Sequence, residues 1–450
     1  MTTQTLGRSV GVVSLALATV LGNGLAHAQP PGPPPPFDAT TRSAAVASAA
    51  TAFRNRYVSP EVGERAAAAI EAALKNGDYD ALAQPQAFAE KLTADLRAVT
   101  NNDQHVQVLG PGSAPPQTAR SEGGVARADR LAGNIGYLDI VSLGAPPLFN
   151  PALDRAMAAL KDTTALIVDA RDLQGGTTAG VSYLVSYFIK SEKPVHLSDI
   201  VSRNPGTDTY RTQEFWSLPT PFSYSGKVYV LTSGRTLSAG ESFAYDLQAR
   251  KLATFVGETT AGGANAAGIV PLAPGLVLML SGGRTQHAIT GTNWEGVGVK
   301  PDVVVPAADA LKVALERLGQ KPATGEIDAL SEARLFAPRS TPQPGAEAAV
   351  RRMSEENARG EPNYDLMSPE MAQATRAQID GLKKIFSDFG PIKSVKFVEV
   401  GPTGTDSYEV EYTNGTAIWQ ILLGPDGKTV MAGVRPAPPK PAASPPVAPK

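Results

Sequence analysis

The chain has 450 residues, an apolar fraction of 42%, a formal net charge of −2 and no cysteine. Such a length suggests two or three domains, each able to bury a core. The near-neutral charge gives no electrostatic basis for binding nucleic acid or an anionic membrane, and the lack of cysteine excludes disulfides, a thiolate nucleophile and sulfur-ligated metal.

Residues 1–28 read as a secretory signal. Met1–Arg8 carries one positive side chain, Val10–Leu21 is apolar, and Ala26-His27-Ala28 is a small-x-small cleavage site. The apolar run is short for a membrane span, although an uncleaved anchor is the alternative reading. The expectation is an exported protein, periplasmic or secreted, cut after Ala28 and without an integral membrane segment afterwards. Residues 29–39 form a proline-rich linker containing Gln29–Pro36.

Residues 40–110 predict an N-terminal helical domain. Ala66, Ile70 and Leu74, then Phe88, Leu92 and Leu96, recur at helical spacing, and Gly77–Asp80 separates the two runs. His105–Leu109 alternates as a strand, and Ser113–Arg130 is polar enough to predict a loop. Residues 111–319 then form a core domain. Its strands are Ile135–Ile140, Ala165–Ala170, Val228–Leu231 and Thr254–Val256, with shorter ones at Leu276–Leu280 and Val303–Val305. Helices are expected at Pro151–Leu160, Gly180–Phe188, after Ser238, and at Ala307–Leu318. Strands alternating with helices predict an α/β fold with a mostly parallel sheet.

Residues 320–345 read as a linker rich in Pro, Gly and Ala. Residues 346–435 read as a C-terminal α+β domain: a helical Ala346–Phe389, then alternating strands at Lys393–Val400, Ser407–Tyr412, Thr416–Leu423 and Thr429–Val434. Residues 436–450 are a Pro/Ala tail of disordered composition.

Chemistry concentrates around one serine. Val228–Leu231 is a buried strand, a polar turn follows, and a helix-forming run begins directly after Ser238. A hydroxyl at a helix N-terminus has unpaired backbone N–H groups beside it, as acyl transfer requires. Read from the residues alone, Ser238 is first an N-cap and second a nucleophile. Ser242 lies one turn further on. A histidine base would come from His105, His196 or His287. His105 occupies a polar junction, His196 reads as paired on a strand, and His287 is the runner-up. Glu295, between Trp294 and Gly296, could orient a base or be a surface carboxylate. Asp169 and Arg171 read as a structural pair ahead of Gly175 and Gly176. Ala261–Asn265 is glycine-rich but lacks the features of a phosphate loop, and the spacing of the histidines argues against zinc. No cofactor is expected.

Four segments in order, Asp169–Gly176, Val228–Ala249, Phe255–Asn265 and Gly291–Pro306, resemble the tail-specific, or C-terminal processing, serine peptidase superfamily. The nearest branch resembles interphotoreceptor retinoid-binding protein and the tricorn protease core. The resemblance implies a crotonase/ClpP-like core and an acyl-enzyme mechanism on protein or peptide substrates. By position it implies Ser238 as nucleophile, His105 as base, Glu295 as the third member, and an oxyanion hole from the N–H groups of Gly175, Gly176 and Ala239. The stretch Glu258–Gly263 has no lysine, which disfavours a Ser–Lys dyad, and the interval from His105 to Gly133 is too short for a PDZ-like insert. The competing readings are a non-catalytic binder of hydrophobic peptides or lipids and a hydrolase of a non-peptide ester or amide. Oligomeric state is not legible.

Overall fold

A computed structural model describes residues 37–110, 121–322, 325–401 and 404–437. The signal sequence, most of the proline-rich stretch, the first part of the Ser113–Arg130 loop and nearly all of the tail lie outside the described residues. Two compact units emerge, one drawn from Pro33–Arg339 and the other from Ser340–Gly401 with Thr405–Lys450.

The first unit opens with three helices, α1 (Ala39–Arg56), α2 (Pro60–Lys75) and α3 (Pro85–Val99), and a short strand β1 (Gln107–Leu109). Proline at the first turn of α2 and α3 suits positions whose N–H has no helical acceptor. An α/β succession follows: β2 (Val125–Leu131), β3 (Ile135–Ile140), α4 (Pro146–Leu160), β4 (Ala165–Asp169), α5 (Thr178–Ser186), β5 (His196–Arg203), β6 (Tyr210–Trp216), β7 (Lys227–Thr232), α6 (Ala239–Ala249), β8 (Thr254–Gly257), β9 (Asn265–Ala273), β10 (Leu276–His287), β11 (Val303–Val304), α7 (Ala310–Arg317), α8 (Ile327–Leu330) and β12 (Ser331–Phe336).

Seven strands form one sheet in the order β11-β8-β7-β4-β3-β2-β12. It is parallel from β11 to β3 and antiparallel at β2 and β12. The central strand β4 is buried along its whole length because both faces are covered. Leu166 and Val168 join the core under α4, α5 and α6, while Ile167 faces the α7 side with Leu311 and Leu315. The continuous apolar run Ala165–Ala170 records this double burial.

The second sheet is antiparallel, ordered β1-β10-β5-β6 with β9 also paired to β10. It changes the picture of the N-terminal helices. Phe53, Ile70, Phe88, Leu92 and Leu96 share a core with Val108 of β1 and with Leu272, Leu276, Leu278 and Leu280 of β9 and β10. The N-terminal helices and the α/β core lie in one compact unit, joined by a hydrophobic cluster whose members are far apart in sequence.

Two stretches carry strands that the sequence reading did not assign. The stretch 320–345, read as a linker, contains β12, which extends the main sheet by pairing with β2. The predicted loop Ser113–Arg130 ends in β2. β2 escaped detection because Asp129, fully buried, pairs with Arg127 and Arg334, and β12 because most of its residues are exposed. A buried charge such as Asp129 breaks the alternation by which half-buried strands are found.

The second unit has α9 (Ala346–Arg359), α10 (Pro369–Phe389) and four strands, β13 (Ile392–Val400), β14 (Asp406–Tyr412), β15 (Gly415–Leu423) and β16 (Thr429–Pro436), in an antiparallel sheet of that order. Its own core includes Val350, Met353, Phe386, Tyr408, Tyr412 and Trp419.

Phe243 of α6 is fully buried and its ring centroid lies 6.1 Å from that of Phe188. Truncation there removes the contact that packs α6 against the end of α5. Phe243→Ala is expected to lower stability by about 3–5 kcal/mol, read from urea melts. A loss below about 1 kcal/mol would contradict this packing.

Candidate active site

Ser238 sits where β7 hands over to α6. The preceding turn is sewn to the loop that follows β4: Thr236 Oγ1 donates to the Ala170 carbonyl (2.8 Å), Ser233 Oγ to that of Arg171 (2.6 Å), and Leu237 N–H to that of Leu173 (3.1 Å). Ser238 itself adopts φ 59°, ψ −118°, a conformation that costs a non-glycine residue about 1–3 kcal/mol. The helix start is equally tight. A Cβ added to Gly240 would lie 2.4 Å from the Leu173 carbonyl oxygen, so only glycine fits there.

The group that holds this geometry is Glu241. Its carboxylate is fully buried and accepts from Ser238 N–H (2.9 Å), Thr260 Oγ1 (2.5 Å), Gly262 N–H (2.6 Å) and Gly263 N–H (2.8 Å). Burial pushes its pKa up, and these four donors oppose the rise. Sequence reasoning overlooked Glu241, although Ser-x-x-Glu at a helix start is a capping-box signal.

The segment Gly262–Asn265, read in the sequence as glycine-rich but not a phosphate loop, is where the candidate residues meet. Gly263 and Gly262 bind Glu241. The next two N–H groups, of Ala264 and Asn265, donate to Glu295 Oε2 at 2.6 and 2.9 Å. Trp294, 2% exposed, donates its indole N–H to the Gly263 carbonyl (3.1 Å) and so fixes the turn that carries Glu295. A Cβ added to Gly263 would lie 2.8 Å from Leu237 Cδ1, 3.1 Å from His105 Cε1 and 3.3 Å from His105 Nδ1. The imidazole and the residue before Ser238 thus close on the same glycine. Among the described residues, Ser238, His105 and Glu295 make no side-chain hydrogen bond to one another; the shared backbone joins them.

His105 reaches this point from the turn after α3. Asn101 and Asn102 both take positive φ, a conformation asparagine tolerates. Arg97 of α3 donates to the carbonyls of Gln104 (2.9 Å) and Val106 (2.8 Å), gripping the chain on both sides of His105. Asp103 accepts the His105 N–H at 3.0 Å. The ring is buried and its Nδ1 has no hydrogen-bond partner. Burial pushes the imidazole pKa down, Asp103 pulls it up and Arg97 lowers it further. The result favours a neutral imidazole, the form a base must take. Burial, followed by the nearby charge of Asp103, pushes Glu295 up to about 7.

The remaining candidates fall into place around this centre. The position a Gly175 Cβ would occupy is 3.7 Å from Ser238 Cβ. Gly175 also accepts Leu143 N–H at 2.9 Å, and Gly176 bridges to Leu143. Ala239 is the first residue of α6. His287 lies elsewhere. Its Nε2 is 3.6 Å from Asp246 and its ring packs edge-on to Tyr245, two turns along α6 and therefore roughly 12 Å from Ser238 along the axis. His196 pairs with Asp199 (2.8 Å) and stacks on Trp216. Asp169 binds Arg171 and the Tyr137 hydroxyl beneath the sheet end. Among the described residues no cluster of His, Asp and Glu is arranged to hold a metal ion.

Glu295 gives a pH test of this geometry. A carboxyl whose folded pKa lies near 7, above an unfolded value near 4.5, stabilises the fold below pH 4.5 and loses that contribution as pH rises through 7. Glu295→Gln keeps an acceptor for Ala264 and Asn265 but does not titrate. Its Tm relative to the unsubstituted protein should rise between pH 5 and pH 8. A constant difference over that range would contradict the burial of a titrating Glu295.

Two stretches of the chain match known protein families. Residues 134–305 match the family model for Peptidase family S41, and residues 40–128 match the N-terminal domain of that peptidase in eukaryotic IRBP. Among solved structures, the photosystem II D1 C-terminal processing protease is 15% identical, with 63% of this chain and 99% of that chain covered and a TM-score of 0.42. A lipoprotein from Streptococcus agalactiae is 16% identical, with 64% and 98% covered and a TM-score of 0.45. The tricorn protease is 16% identical, with 65% and 36% covered and a TM-score of 0.42. The chain carries an S41 peptidase domain at residues 134–305, preceded at residues 40–128 by the IRBP-type N-terminal domain of that peptidase.

Proposed function

We propose that the protein is an exported serine peptidase that hydrolyses peptide bonds through an acyl-enzyme, with Ser238 as nucleophile, His105 as general base and Glu295 as the third member of the site. The observation that carries this reading is the convergence of His105, Glu295 and the Ser238 turn on Gly262–Asn265, from three separate parts of the chain. The match of residues 134–305 to the S41 peptidase model supports the peptidase activity.

In the proposed reaction Ser238 Oγ attacks the scissile carbonyl carbon while its proton passes to His105. The carbonyl oxygen takes the negative charge, next to the N–H groups of Gly175 and Ala239 and the N-terminus of α6, where negative charge is favoured. The tetrahedral adduct collapses, His105 returns the proton to the leaving amine, and the acyl-enzyme remains. Water, deprotonated by His105, then attacks the ester and releases the second product. Ser238 is the N-cap of α6, so the first N–H groups of the helix lie beside it. Glu295, held by two backbone N–H groups near His105, contributes orientation and charge balance.

Export to the periplasm or outside the cell rests on the signal features of Met1–Ala28. No helix among the described residues is long and apolar enough to cross a membrane.

Substitution tests the assignment. Ser238→Ala should lower peptide turnover by about 10⁴–10⁶-fold with an unchanged melting profile, and His105→Ala should cost a comparable factor. His287→Ala should leave kcat within about threefold, provided the variant folds. Full activity in Ser238→Ala, or a silent His105→Ala beside a damaging His287→Ala, would overturn it.

A further inference from the structure

Next to the imidazole lies a buried carboxylate to which the mechanism above gives no task. Asp103 is 1% exposed and accepts from three neutral donors: the Tyr57 hydroxyl (3.1 Å), Asn265 Nδ2 (3.1 Å) and the His105 backbone N–H (3.0 Å). Among the described residues no lysine or arginine forms an ion pair with it. An uncharged side chain of the same shape would serve the fold. An asparagine at this position could accept the His105 N–H through its oxygen and meet the Asn265 amide after a simple flip. Arg97 acts on Asp103 electrostatically but makes no ion pair with it, and burying a carboxylate without a directly paired cation is costly, so the charge calls for a reason beyond architecture.

The position of Asp103 supplies one. Its three donors come from the end of α1, from the start of β9 and from the turn that carries His105. The site's acceptor-bearing turn is thereby tied to the strand whose first N–H groups hold Glu295. We propose that Asp103 is a positioning residue of this site: its carboxylate locks the His105 turn against Asn265 and supplies the negative charge that stabilises the imidazolium formed when Ser238 gives up its proton. The inference rests on the assignment of His105 as base.

The charged and titratable groups around His105 and Glu295 are Asp103, Arg97 from α3, Tyr57 after α1 and Glu241 from α6. Asp103 is the group that raises both His105 and Glu295. Removing its charge therefore lowers both, and the acidic limb of activity follows them.

The test is the pH profile of kcat/KM for Asp103→Asn in the full-length protein, with Asp103→Glu as the charge-restoring variant. Asp103→Asn should move the acidic limb to lower pH and reduce kcat about tenfold or more, with KM within about twofold. Asp103→Glu should return the limb toward its original position. NMR titration of His105 in Asp103→Asn should show the same downward shift, which separates it from Glu295. If Asp103→Asn does not fold, Asp103→Ser, which keeps an acceptor for the His105 N–H, carries the same test. An acidic limb and a His105 titration that stay in place, whatever the rate, overturn the proposal and assign Asp103 a purely architectural role. Full activity in Ser238→Ala would instead overturn the assignment on which the inference rests.

Discussion

A single buried carboxylate organises the site. Glu241 receives four hydrogen bonds, one from the N–H of Ser238 and three from Thr260, Gly262 and Gly263. It lies one helical turn beyond the serine, so α6 carries its own brace. Removing it would leave four donors without an acceptor, each costing about 1–3 kcal/mol. It would also release the strained backbone at Ser238 from the segment that meets His105 and Glu295. The rest of the unit keeps this brace in place: the parallel sheet aims β7 at the serine, Phe243 seats α6, and Gly240 lets the helix start lie against the Leu173 carbonyl.

The same logic explains why the N-terminal helices share a core with β9 and β10. His105 is useful only if the turn after α3 is held to within a fraction of an ångström of the α/β core. A flexibly tethered helical domain could not do this. A shared hydrophobic cluster can, with Arg97 gripping the turn from one side and Asn265 reaching Asp103 from the other. Packing energy in one region thus becomes positional precision in another.

How much of this could be read from the amino acids follows from the range of the interactions. The strand, turn and helix around Ser238 were legible because Val228–Leu231 and the run after Ser238 are local patterns. The all-apolar β4 was legible because it is covered on both faces. Strands β2 and β12 were not, since Asp129 is buried against the expected alternation in β2 and most of β12 is exposed. Nor was β9, whose start Asn-Ala-Ala-Gly has little strand preference and is set by pairing with β10. Glu241 left a local trace in its spacing from Ser238. Asp103 left only its place two residues before His105, because its other partners, Tyr57 and Asn265, lie 46 and 162 positions away. The roles given to His105 and Glu295 came from resemblance to a peptidase family, and the coordinates add the backbone segment on which both residues converge.

The central claim is that the hydroxyl of Ser238 is chemically activated by its surroundings. Treatment of the purified protein with a fluorophosphonate, followed by mass-spectrometric mapping of the modified peptide, tests it most directly. The account predicts one phosphonylated residue, Ser238, and slow or absent labelling in the His105→Ala variant. Labelling at a different residue, or no adduct on a folded protein that cleaves peptides, would contradict it.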